Sequence, residues 1–117
     1  MKILVTYVSE TGNTEKLAHA IFDGITGTDK YIVPLSKVDR TDLYDVFYVG
    51  FPVQGGSVPK PAEAFLKNIP EGKMVAVFST HGSLRGGQLA ITAFHHALTL
   101  ASQTKIIGTF GCRGQVK

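Results

Sequence analysis

The chain has 117 residues, 44% hydrophobic and 18% charged, with a formal net charge of +3 and a pI near 9.1, a balance expected of one soluble globular domain over residues 1–117. No apolar run approaches the roughly 18 residues of a membrane span and no basic stretch leads into a signal-peptide core, so no membrane partner and a cytoplasmic location are expected. The single cysteine, Cys112, excludes a disulfide framework and a multi-cysteine metal site. Lys and Arg are scattered rather than clustered, so no nucleic acid partner is expected.

The first element is an apolar strand, Lys2-Ile-Leu-Val-Thr-Tyr-Val8. It runs straight into Ser9-Glu-Thr-Gly-Asn-Thr14, where an amphipathic helix begins. Ser9, Thr11 and Thr14 each carry an O–H donor. Gly12 lets the backbone turn at positive φ, and the first-turn N–H groups of the helix point toward the loop. Donors converging with the positive end of a helix dipole make an anion site, best matched by a phosphate. Hydrogen bonds to a charged group are worth roughly 1.5–3 kcal/mol each, so hydroxyls and amides suffice without a lysine. The loop indeed contains no Lys or Arg. It has neither the Gly-x4-Gly-Lys of nucleoside triphosphatases nor the Gly-x-Gly-x-x-Gly of dinucleotide folds, which favours a single terminal phosphate. A plain N-cap by Thr11 or Asn13 would explain one such residue. The run of donors directly after a buried strand favours the phosphate loop.

Leu17, Ala18, Ala20, Ile21 and Ile25 recur at helical spacing and predict a core-facing stripe, with Gly24 and Gly27 ending the helix. Tyr31-Ile-Val-Pro-Leu35 predicts a short outer strand, Pro34 marking an edge or a strand end. Ser36 to Tyr44 predicts a polar connection with one helical turn capped and started by Thr41-Asp-Leu-Tyr44. Asp45-Val-Phe-Tyr-Val-Gly-Phe51 is a continuous apolar run, expected of a central parallel strand covered on both faces. It delivers the loop Pro52-Val-Gln-Gly-Gly-Ser-Val-Pro-Lys-Pro61.

Pro61 to Ile69 predicts a helix with Ala62, Phe65, Leu66 and Ile69 on its apolar side, stopped by Pro70-Glu-Gly72. Lys73-Met-Val-Ala-Val-Phe-Ser-Thr80 is a further buried strand leading to His81-Gly-Ser-Leu-Arg-Gly-Gly87. Gln88 to Ser102 predicts a helix with Leu89, Ala90, Ala93, Phe94, Ala97, Leu98 and Ala101 on its apolar face. His95 and His96 are adjacent and cannot form an i, i+4 metal pair, so no metal site is expected. Thr104-Lys-Ile-Ile-Gly-Thr-Phe-Gly111 is the last strand, with Cys112 in the loop beyond it. Arg113 follows directly, which is not a Cys-x5-Arg phosphatase loop, and no catalytic residue is expected.

Strands alternating with helices predict a parallel α/β sandwich of three layers joined by right-handed crossovers. Ser-x-Thr-Gly-Asn-Thr after the first strand, with the order of elements over nearly the whole chain, resembles the flavodoxins. The resemblance implies a five-stranded parallel sheet of order 2-1-3-4-5, in which the loops after the first, third and fourth strands share one crevice. It implies bound FMN there. Ser9, Thr11, Asn13 and Thr14 would hold the phosphate, with Glu10 and Gly12 completing the loop. Pro52, Val53, Gln54, Gly55 and Gly56 would flank one edge of the ring, and Thr80, His81, Gly82, Ser83 and Gly87 the other.

On the residues alone, Gly55 and Gly56 fit an ordinary flexible turn as well as a peptide that rotates when a flavin is reduced. The resemblance assigns Gln54-Gly55 to the flavin, and places His81 where a flavodoxin often carries an aromatic cover. It implies a non-covalent FMN electron carrier with redox protein partners. An FMN-dependent nicotinamide or quinone reductase and a flavin-free binding module are the alternatives.

Three features depart from the family pattern. No final helix follows the last strand before Lys117, which predicts an open apolar face and either a truncated chain or a second subunit covering the gap, with a homo-oligomer or poor monomer stability as the expectation. The chain is net basic where typical flavodoxins are strongly acidic. It has no Trp, and Phe51 and His81 are the nearest substitutes for the aromatic pair around the flavin. With few acids in the loops and Arg85 present, a less negative potential than in acidic relatives is expected.

Overall fold

Apolar residues alternating along strands and striped along helices drive this chain into layers. The computed structural model describes residues 2–8, 12–27, 29–52, 58–81 and 97–113. Strand β1 (Ile3–Tyr7) is followed by helix α1 (Asn13–Gly24), strand β2 (Lys30–Pro34) and a 3-10 turn (Leu35–Lys37). Strand β3 (Val46–Pro52), helix α2 (Lys60–Asn68), strand β4 (Met74–His81) and strand β5 (Lys105–Arg113) complete the order, with residues 97–100 helical before β5. The five strands form one parallel sheet of order β2-β1-β3-β4-β5, the order that the resemblance implies.

Period-two alternation sends Leu4 to one side of β1 and Val5 and Tyr7 to the other. On the first side Leu4, Phe47, Val49, Phe51, Val75 and Val77 pack under Ala62, Leu66 and Ile69 of the α2 segment and under Ala97 and Ala101. On the second side Val5, Tyr7 and Phe78 meet Ala18 of α1, with Leu17, Ile21, Phe22 and Ile25 around them. Helices on both faces make the three layers. Ala20, expected in the core stripe, is exposed. The buried face of α1 runs through residues 14, 18, 21 and 25, which places position 20 on the flank. Phe22, absent from the expected stripe, packs against the core instead.

The carboxyl ends of α1 and α2 are each closed by a side chain from farther along the chain. Lys30 Nζ donates to the Phe22 and Ile25 carbonyls at 2.8 and 3.0 Å, supplying the cation that the last turn of α1 lacks. Gln103 Nε2 donates to the Leu66 and Ile69 carbonyls at 3.2 and 2.9 Å, so the residue after the last helical turn holds the end of α2.

Several boundaries differ from the sequence expectation. The helical turn of the β2–β3 connection forms at Leu35–Lys37, not from Thr41. His81 belongs to β4, and Cys112 and Arg113 belong to β5. Main-chain pairing carries these strands past the point where their apolar runs stop: Thr80 and His81 pair with Cys112 and Arg113.

Gly50 has a specific job in β3. A Cβ there would overlap the ring of Phe78, its register neighbour on β4. The missing side chain lets that ring lie flat across β3 and stay 1% exposed. Farther along the same face coverage by the described residues thins, because a helix roughly 10 Å wide spans only about two strands spaced about 4.8 Å apart. Ile21, Tyr48, Ala76, Phe78, Ile107, Gly108 and Thr109 line an apolar depression of about 270 Å³, with Ile107 46% exposed. Tyr48 is half-buried, so β3 is not fully covered on both faces as expected.

Replacing Gly50 forces this packing to move. Gly50→Ala is expected to lower stability by about 1–3 kcal/mol through overpacking, read as a fall in the urea midpoint. Phe78→Leu in the same chain should recover part of that loss, and an unchanged midpoint in Gly50→Ala would contradict the assignment.

Candidate functional site

Parallel strands end on one edge of the sheet, so the order β2-β1-β3-β4-β5 gathers the carboxyl ends of β1, β3 and β4 side by side. Tyr7 is in register with Gly50, and Gly50 with Phe78. The Val8 amide extends the ladder by donating to the Gly50 carbonyl at 2.9 Å. The order in which strands are added reverses here, β2 lying on one side of β1 and β3 on the other, the position at which open α/β sheets bind ligands.

Helix α1 starts at this edge. Gly12 is its N-cap with φ 87°, in the left-handed region, and a Cβ there would meet nothing within 4 Å. The glycine is therefore required by backbone conformation rather than by space. The first helical hydrogen bond runs from the Lys16 amide to the Gly12 carbonyl at 3.0 Å. The amides of residues 13, 14 and 15 thus lie outside the helical ladder, at the positive end of the dipole.

Thr14, in the first turn, is 1% exposed, and Thr80, near the end of β4, is 5% exposed. Their hydroxyl oxygens are 2.8 Å apart, a buried side-chain hydrogen bond between residues 66 positions apart. Thr80 pairs with Pro52 of β3 on one side and Cys112 of β5 on the other. The bond therefore ties the start of α1, across β3, to β4.

Sequence reasoning passed over Tyr7 and Glu15. The Tyr7 hydroxyl donates to Glu15 Oε2 at 3.2 Å, His19 Nε2 lies 3.9 Å from the same carboxylate, and the Tyr7 and His19 rings are 6.4 Å apart. Alternation puts Tyr7 on the face that α1 must cross, and Glu15 and His19 are one helical turn apart. Those two periods were the available signal.

Of the residues expected to hold a ligand, Gly12, Thr14 and Thr80 converge here. Asn13 opens α1, Pro52 closes β3 and His81 closes β4. Ser9, Glu10, Thr11, Val53, Gln54, Gly55, Gly56, Gly82, Ser83 and Gly87 lie outside the described residues, as do Arg85 and the stretch 88–96 of the last expected helix. Among the described residues no group of three or more His, Cys, Asp or Glu is placed to hold a metal ion. No helix among them is long and apolar enough to cross a membrane.

Burial, and then the hydrogen bond to Glu15 and its charge, push the Tyr7 phenol above its ordinary 10.0. The fold favours the neutral phenol, so this contribution to stability is complete below pH 10.0 and is lost as pH rises through the higher folded-state value. Glu15→Gln removes the charge and weakens the hydrogen bond. Urea midpoints taken across this alkaline range should fall less steeply in Glu15→Gln than in the wild type, and parallel curves would contradict the coupling.

Comparison with known proteins agrees with this geometry. The family model for the flavodoxin domain matches residues 4–117. A flavodoxin-like domain-containing protein of Clostridioides difficile, BilS, is 31% identical over 121 residues, which cover 99% of this chain and 68% of that protein. A flavodoxin of Aquifex aeolicus is 31% identical over 98 residues, covering 74% of this chain and 53% of the relative, so the chain spans about half that protein's length. Among solved structures, a Lactobacillus acidophilus flavoprotein in complex with FMN superposes with a TM-score of 0.76 at 21% identity, over 94% of this chain and 92% of its own. That likeness is one of fold. With the family model spanning all but the first residues, the chain belongs to the flavodoxin family.

Proposed function

We propose that this protein binds FMN non-covalently and carries electrons between redox proteins. The observation that supports this most directly is the start of α1: a left-handed Gly12, amides outside the helical ladder and a buried Thr14 hydroxyl, all at the carboxyl end of β1. These are neutral donors arranged around one point, which is the chemistry a phosphate monoester takes. They fit the phosphate end of FMN.

The cofactor supplies the redox chemistry when bound, and the protein supplies binding and orientation. In this reading Ser9, Thr11, Asn13 and Thr14 donate to the phosphate, and the loop following Pro52 and the loop following Thr80 flank the ring. Gly12 holds the turn that aims the first amides of α1 at the phosphate. No acid, base or nucleophile of the protein is needed.

Purified chain titrated with FMN is expected to quench flavin fluorescence to a one-to-one end point and to show the visible bands of a bound oxidised flavin. Folded protein that leaves FMN fluorescence unchanged would refute the reading. Gly12→Ala is expected to weaken binding by about tenfold, since a left-handed non-glycine residue costs roughly 1–2 kcal/mol. The loaded protein is expected to oxidise NADH no faster than free FMN does, and sustained turnover would move the assignment to an FMN-dependent reductase.

The depression beside α1 bears on assembly. Its described lining carries no charged residue, so a second copy can meet it without burying an ion. On this ground self-association is the state we propose for the chain. Light scattering should return a mass above the 12.6 kDa of one chain, and a monomer with a cooperative melt would refute it.

A further inference from the structure

We infer that Thr80 is a positioning residue for the phosphate site rather than a contact of the flavin ring. This rests on the FMN reading above and extends it to a residue that position in the chain alone would assign to the other end of the ligand.

The geometry is specific. Thr80 Oγ1 lies 2.8 Å from Thr14 Oγ1, and both residues are more than nine-tenths buried. Among the described residues, each hydroxyl is the other's side-chain partner. A threonine hydroxyl has one proton to give and two lone pairs to accept with. Two hydroxyls sharing one hydrogen bond use one proton between them and keep one to donate elsewhere.

Which hydroxyl keeps that proton depends on the neighbours. An anion at the start of α1 lies beside Thr14, in the first turn, so the spare proton goes from Thr14 to the anion and Thr80 donates to Thr14. Donation by Thr80 polarises the Thr14 O–H and makes it a better donor to a charged acceptor. It also holds Thr14 away from the rotamers in which a helical threonine turns back to its own backbone. Thr80 thus acts on the phosphate through Thr14. The link joins the first turn of α1 to β4.

The test separates the phosphate from the rest of the ligand. FMN and riboflavin differ by that phosphate alone, so the ratio of their affinities reports on the phosphate site. Thr80→Val keeps the shape of the side chain and removes the hydroxyl. It is expected to lower the FMN-to-riboflavin ratio about tenfold, the scale of one hydrogen bond to a charged acceptor. Thr80→Ser keeps a hydroxyl and is expected to restore the ratio. In Thr14→Val the same ratio falls, and adding Thr80→Val to it should lower it no further, because the pair acts as a unit.

Because both affinities are measured on the same folded sample, a general loss of stability moves them together and leaves the ratio in place. An unmoved ratio in Thr80→Val, or additive effects of the two substitutions, would overturn the inference while the FMN reading stands. A wild-type chain that binds no FMN would remove that reading, and this inference with it.

Discussion

The main-chain ladder between β1 and β3 is the contact on which the rest of the site depends. Its partners are far apart in sequence: Ile3 pairs with Val46 and Tyr7 with Gly50. Only parallel pairing with a crossover on each side brings the start of α1, the end of β3 and the end of β4 to one edge. The pairing also fixes direction. A shift of β1 by one residue would turn Val5 and Tyr7 away from α1. The alternation that buries the core therefore also sets where Thr14 meets Thr80.

Polar groups near this edge are treated in two ways. Thr14 and Thr80, on the α1 face, satisfy each other. Thr6 Oγ1 and Ser79 Oγ, on the opposite face, are buried with no hydrogen-bond partner among the described residues. An unpartnered buried hydroxyl costs about 1–3 kcal/mol, so one face of the sheet tolerates a loss that the other avoids. The difference follows from what each face meets. The α2 face is packed by apolar side chains such as Phe51, Val58 and Ala62. The α1 face carries the start of a helix, where hydroxyls and amides are already gathered.

Much of this arrangement is legible in the sequence, because its strongest signals are local. The run of apolar residues in β3, the stripe of α2 and the turn at Gly12 each follow from a few neighbouring positions, and each lies where expected. Element order then limited the parallel topologies, and the resemblance to the flavodoxins supplied the strand order 2-1-3-4-5. What was not legible depends on residues distant in sequence. Nothing around Gly50 announces Phe78, and nothing around Thr80 announces Thr14. Ala20 was misplaced for a related reason: small apolar residues fit helix flanks as readily as helix cores, and the choice is made by which turn meets the sheet. The ends of β4 and β5 extended past their apolar runs because main-chain pairing, not side-chain character, decides where a parallel strand stops.

The absence of Lys and Arg from the stretch Ser9 to Thr14 then acquires a physical sense. The +3 charge is carried by side chains spread over the surface, and at physiological salt their field decays over about 8 Å. They favour the approach of an anion more than they hold it. In the proposed reading holding falls to amides and hydroxyls, whose strength depends on direction. Glu15 sits in the first turn of α1, where its charge favours the helix but opposes an anion nearby. Its carboxylate accepts from the Tyr7 hydroxyl, which spreads that charge and fixes its position. In the proposed reading such a site selects an anion by the placement of its oxygens before its charge, and the buried Thr14–Thr80 pair ties the first turn that would present those donors to the sheet.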